Sequence, residues 1–200
     1  MIGNRSWSER EALIDVSAAI AAREEAALRR AFRMAVRTAA ADDVDEVILQ
    51  AHLFVGYPIA LEAFRIWREI APGAGNPDRE DGVDWRGRGG AVCAAVYGTA
   101  YEKLLATVDE LHPELGRLML EVGYGRVIGR PRVDLATREL CIAALLAVWG
   151  TPRQLHSHLR GAMNAGATSE DVERMLKAAS RLLSTSEITS VMEVWAQVNR

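Results

Sequence analysis

Residues 135–164 read LATRELCIAALLAVWGTPRQLHSHLRGAMN, and this stretch decides the fold class. Beyond Glu139 the run to Trp149 is apolar nearly all round, the mark of a helix buried on every side. Gly150 ends that helix, and Thr151-Pro152-Arg153-Gln154 has the form of a capping box, with Thr151 at the N-cap and Pro152 in the first helical position. The second helix runs to Ala165, where Gly166 supplies a left-handed stop. Two helices joined so tightly form an antiparallel hairpin.

The rest of the chain reads in the same way. Residues 8–41 form one long amphipathic helix or two shorter ones, and Val44–Val55 follows behind an Asp pair. Gly56-Tyr57-Pro58 breaks the pattern, and Pro58 opens a helix through Trp67. The breaker-rich stretch 71–90 reads as a linker, and 123–131 as a Gly-rich loop. Helices are expected over 91–108, 113–121, 170–183 (behind Thr168 or Ser169) and 186–198. At an offset of 94 residues Asp45–Leu61 lies over Glu139–Leu155, which suggests a helical hairpin used twice. The reading is therefore all-α, with an N-terminal helical half at 1–72, a linker at 73–90 and a second helical half at 91–200.

Of the 200 residues half are apolar, enough for one compact domain or two fused small ones. The net charge is −3, and no stretch interleaves arginines with aromatics, so no nucleic-acid partner is expected. No apolar run approaches the roughly 20 residues that span a bilayer, and the N-terminus lacks an uninterrupted apolar signal region. Soluble, cytoplasmic placement is expected. Cys93 and Cys141 stand 48 residues apart in apolar runs and read as buried free thiols. The histidines and acids lack metal-ligand spacing, and no metal is expected.

Helical geometry singles out one pair. Glu139 lies about 16 Å before Gly150 and His158 about 12 Å beyond it, so an antiparallel hairpin brings them to similar heights. A histidine at the edge of a buried face can act as general acid or base, with a carboxylate setting its tautomer. The bland alternatives are a boundary histidine bonded to a helix carbonyl and a carboxylate favouring a helix N-terminus. Arg126, Arg130, Arg132 and Arg138 form a second candidate group, either a carboxylate clamp or a solvated loop with surface ion pairs. Tyr124 and Trp149 either line a pocket or belong to the core.

The run GYGRVIGRPRVDLATRELCIAALLAVWGTPRQLHSHLRGAMNAGATSEDVERML, residues 123–176, resembles the core of the carboxymuconolactone decarboxylase family. The Arg-Pro of the loop, the Thr-Arg-Glu-Leu opening the buried helix, and His158 and Asn164 carry the likeness, which VYGTAYEKLL and LHPELGRLMLEVGYG extend upstream. The resemblance implies an AhpD-like helical bundle, a trimer or hexamer of identical chains, and cofactor-free decarboxylation or isomerisation of a small carboxylated lactone or related acid from aromatic breakdown. Under it His158 supplies a proton, Glu139 orients His158, and Arg130, with Arg138 as a second candidate, holds a carboxylate. The peroxidase branch of the superfamily uses a Cys-x-x-Cys that would fall at Thr151 and Gln154, where this chain has no thiols. A non-catalytic helical oligomer that binds a small molecule or partner is the rival reading. A residual peroxidase would need Cys93 or Cys141 exposed with a lowered pKa.

Overall fold

A computed structural model describes residues 5–73, 75 and 79–200. The described residues form helices and turns with no strand. The helices are α1 (Trp7–Ala22), α2 (Glu25–Thr38), α3 (Ala41–Ile70), α4 (Trp85–Tyr97), α5 (Tyr101–Leu111), α6 (Pro113–Leu118), α7 (Leu135–Trp149), α8 (Pro152–Asn164), α9 (Ser169–Ala179) and α10 (Thr185–Val198). A π-helical segment, Met119–Ile128, links α6 to the loop before α7.

The core is built on α1 and α7, the two helices buried nearly all round. Their contact is fixed by a buried hydroxyl, with Ser17 Oγ donating to the Cys141 carbonyl at 2.7 Å. A shared side-chain donor satisfies Ser17 without breaking the α7 ladder. Ser6, Thr168 and Ser184 start α1, α9 and α10, each in a reciprocal capping box with an acid three residues on.

Helix α3 is a hairpin in all but name. Trp67 Nε1 donates to Asp45 Oδ1 at 2.8 Å, and Arg68 donates to both Asp45 oxygens at 2.7 and 2.8 Å. Twenty-two residues of straight helix would hold Asp45 and Trp67 about 33 Å apart. The chain must therefore reverse between them, and it does so at Gly56, with φ 79° and ψ 168°. Gly150, 94 residues on, has φ 77°. By length and composition α3 alone among the described helices could cross a membrane. Folded back at Gly56, neither limb reaches the roughly 20 residues a span requires.

Three expectations need correction. The stretch read as a linker ends at Trp85, because Asp84 caps α4 by accepting from the Gly87 N–H at 2.9 Å. Of that stretch, residues 74 and 76–78 lie outside the described residues. The Gly-rich loop is π-helical as far as Ile128. In both places the glycines serve packing rather than breaking. A Cβ on Gly89 would sit 1.9 Å from the Leu120 carbonyl oxygen, and one on Gly125 would sit 2.2 Å from that of Trp85. Only hydrogen at these two positions lets α4 and the π-helical segment press backbone to backbone. Thr151, finally, does not cap α8. Its φ of −115° departs from the −63° to −85° of Asp84, Asp134, Thr168 and Ser184, which do cap, and its buried hydroxyl has no partner.

Candidate active site

The α7–α8 hairpin brings Glu139 and His158 together. Glu139 Oε2 lies 2.7 Å from His158 Nδ1, with Glu139 fully buried and His158 5% exposed. A carboxylate only accepts, so Nδ1 carries the proton and Nε2 is left for chemistry. Gly161, one turn after His158, makes this contact possible: a Cβ there would meet Glu139 Oε2 at 2.6 Å. Asn164 secures the neighbouring helix, its amide donating to the Val96 carbonyl at the end of α4 (2.8 Å).

His158 opens on a pocket of about 410 Å³ between α3, α4, α6, the π-helical segment and α8. Its walls are Leu53, Phe54, Tyr97, Leu115, Leu118, Met119, Val122, Gly123, Tyr124 and Ile128. Phe54 meets the imidazole edge-on at 5.6 Å between ring centres, and Tyr97 does so at 6.4 Å. The Tyr124 hydroxyl donates to that of Tyr97 at 3.2 Å. Burial raises Tyr97 to about 12 and Tyr124 well above its ordinary value, with the charge of Glu139 adding to both. Both phenols thus stay protonated and able to donate at neutral pH.

The second oxygen of the carboxylate, Glu139 Oε1, is buried and has no hydrogen-bond partner. Cys93 is close enough to feel the same charge. Burial first and Glu139 second push its thiol up to about 12. Burial likewise raises Cys141. Both thiols are therefore the reverse of the exposed, easily ionised cysteine that peroxide chemistry needs. No group of three or more His, Cys, Asp or Glu side chains among the described residues could hold a metal ion.

Arg130 and Arg138 gather elsewhere, around Glu46 at the start of α3. Arg138, fully buried, donates to Glu46 Oε2 at 2.7 Å, to Gln50 Oε1 at 3.3 Å and to the carbonyls of Val133 and Arg130. Arg130 donates to Glu46 at 2.8 Å and to Glu80 at 3.4 Å. Arg132 reaches Asp42 and Asp43, which Arg5 also joins. Arg126 stacks over Trp85 at 4.8 Å. Arg130, Arg132 and Arg138 thus hold the protein's own carboxylates rather than an open clamp, and these pairs bind the two halves of the chain together. Trp149 packs against the core about 15 Å along α7 from Glu139. The structure thus joins Glu139, His158 and Tyr124 in one site and leaves Arg130, Arg138 and Trp149 out of it. Tyr97, Phe54 and Gly161 join the site without having been singled out. The spacing of Gly161 from His158, three residues on one helical face, was the signal that could have found it.

Residues 113–197, which include α7 and α8, match the model of the carboxymuconolactone decarboxylase family. Over this region the chain is similar to the carboxymuconolactone decarboxylase family. The match starts at α6, so the family region contains Glu139, His158, Tyr124 and the α6 wall of the pocket, while Phe54 and Tyr97 come from before it. Among curated proteins the chain is similar to Peroxisomal protein 2 of Schizosaccharomyces pombe (strain 972 / ATCC 24843), with 30% identity over 135 residues. That alignment covers 64% of this chain and 62% of the relative.

Proposed function

We propose that this protein is an enzyme that moves a proton at carbon in a small carbonyl compound, by decarboxylation or isomerisation, with His158 as general acid–base. The observation that carries the reading is the 2.7 Å Glu139–His158 bond at the floor of an apolar pocket. Glu139 fixes the tautomer and supports the imidazolium that forms when Nε2 takes a proton. Removing CO2 or a proton next to a carbonyl leaves an enolate, which needs a donor over its oxygen. Because Tyr97 accepts from Tyr124, its own hydrogen is available for that oxygen. The side chains named supply the whole cycle, and the proposal includes no cofactor.

Incubation with γ-carboxymuconolactone, following CO2 release and loss of the lactone, tests the decarboxylase form. Turnover in the wild-type protein that falls about 10²- to 10⁴-fold in His158→Ala would support it. Turnover that survives the substitution would remove His158 from the mechanism.

The apolar lining of the pocket favours a second reading, a helical protein that holds an apolar small molecule without transforming it. Saturable binding with no exchange of the ligand's carbon-bound hydrogens in D2O would favour that reading. Residence in the cytoplasm and assembly into trimers or hexamers belong to the proposal in either form.

A further inference from the structure

We infer that the His158 pocket takes an uncharged cyclic carbonyl compound and shifts a proton within it, so that the reaction is an isomerisation and not a loss of CO2. This rests on the acid–base reading above and narrows its substrate class.

A substrate carboxylate needs a cation or several donors once it leaves water. Among the described residues that line the pocket there is neither Arg nor Lys. The neighbouring guanidiniums are engaged with protein carboxylates: Arg130 and Arg138 with Glu46, Arg88 with Glu80, and Arg117, beside the pocket wall, with Glu114 and Glu121. The charge buried behind His158 is negative. Glu139 shares it with His158 through Oε2, while Oε1 has no partner at all. A second carboxylate would enter beside that charge in a low-dielectric site, where like charges repel most strongly. The same field helps raise the pKa of Tyr97, Tyr124 and Cys93, three groups that would become anions there.

A neutral ketone meets no such opposition. Its ring packs against Phe54 and the leucines, and its oxygen accepts from the Tyr97 hydroxyl. His158 Nε2 removes a proton from the carbon between the carbonyl and a β,γ double bond. The C–H electron pair moves into the carbonyl system, giving a dienolate under Tyr97. The imidazolium then returns the proton at the γ carbon, and the double bond ends in conjugation. One C–H bond breaks and one forms, with no net oxidation and no co-reactant.

The test uses the full chain with cyclohex-3-enone, whose conversion to cyclohex-2-enone is followed by ultraviolet absorbance. The charged comparison is 2-oxocyclohexanecarboxylate, followed by CO2 release above its spontaneous rate. Binding of cyclohexanone and of the keto acid is read in parallel from the His158 ring resonances. The expected result is isomerisation of the enone at a kcat/KM at least about tenfold above that for the keto acid. His158→Asn, which keeps most of the side-chain volume, should lower it by about 10²-fold or more, and Tyr97→Phe by about tenfold. His158-dependent decarboxylation that exceeds isomerisation would overturn the inference and leave the acid–base reading intact. Selective binding of cyclohexanone without turnover of either compound would keep the neutral ligand class but overturn the isomerase step and the catalytic reading. Failure to bind or convert either compound would overturn the inference.

Discussion

Glu46 and Glu139 are both buried glutamates on core helices, and their surroundings could hardly differ more. Glu46 is surrounded by donors: Arg130 and Arg138 hold it, and Gln50 and two carbonyls complete the shell around Arg138. Glu139 has one partner, His158, and one oxygen with none. A charge satisfied on all sides locks elements together and does little else. A half-satisfied charge beside a cavity keeps the capacity to shift a proton. The contrast divides the molecule into a bolt between its halves and a site for chemistry.

Exchanging each carboxylate for its amide sharpens the comparison most. Glu46→Gln leaves Arg138 buried with its charge uncompensated, and should cost about 3–5 kcal/mol in urea denaturation. The rate per folded molecule should stay unchanged, since Glu46 does not reach the pocket. Glu139→Gln should do the opposite. It replaces an unpartnered charged oxygen by an unpartnered neutral amide nitrogen, so stability should hold within about 1 kcal/mol. Proton exchange into a bound ketone should meanwhile fall by about 10²- to 10³-fold, because His158 loses its support. If Glu139→Gln unfolds the protein as badly as Glu46→Gln, the two carboxylates play the same part and the distinction is lost.

How far each site was legible follows from sequence distance. Glu139 and His158 are 19 residues apart across one hairpin, so helical rise alone brings them to the same height. The carboxylate partners of Arg130 and Arg138 lie 50 to 92 residues upstream, and no local spacing reveals them. A cluster of guanidiniums looks the same in sequence whether it waits for a ligand or is consumed by the fold. The glycines taught a similar lesson. Gly150 and Gly166 were legible as stops because a positive φ is a local property. Gly89 and Gly125 were misread as breakers because the carbonyls they press against belong to other elements. The Thr151 cap failed for a related reason, since the motif is local but the φ angle of its first residue is set by the turn from α7.

A smaller effect probes the support of the chemical site. In Gly161→Ala the new methyl would meet Glu139 Oε2 at 2.6 Å and Val96 Cγ1 at 2.7 Å. Either α8 lifts or the carboxylate rotates, at a cost of about 1–3 kcal/mol. The Glu139–His158 bond should lengthen, and the His158 Nδ1 proton should exchange faster in NMR. An unchanged proton resonance would show that the hairpin has more room than the contact implies.

Acid should loosen the anchoring of α7, and Asp134 is the place to look. It caps α7, accepting from the Thr137 N–H at 2.9 Å and hydroxyl at 2.8 Å, and it pairs with Arg5 at 2.9 Å. Burial alone would raise its pKa, but the Thr137 bonds, Arg10 and Arg5 outweigh burial and hold it below the usual carboxylate range. A carboxyl with a depressed folded-state pKa stabilises the fold at pH values above its unfolded pKa of about 4, and that stability is lost as pH falls through the folded value. Asp134→Ala should therefore cost about 0.5–2 kcal/mol at pH 7, the worth of a cap, and progressively less than that below pH 4. A cost that stays constant down to pH 2 would mean that Asp134 holds α7 through its shape and not its charge. The helix that carries Glu139 would then be anchored independently of the arginines around it.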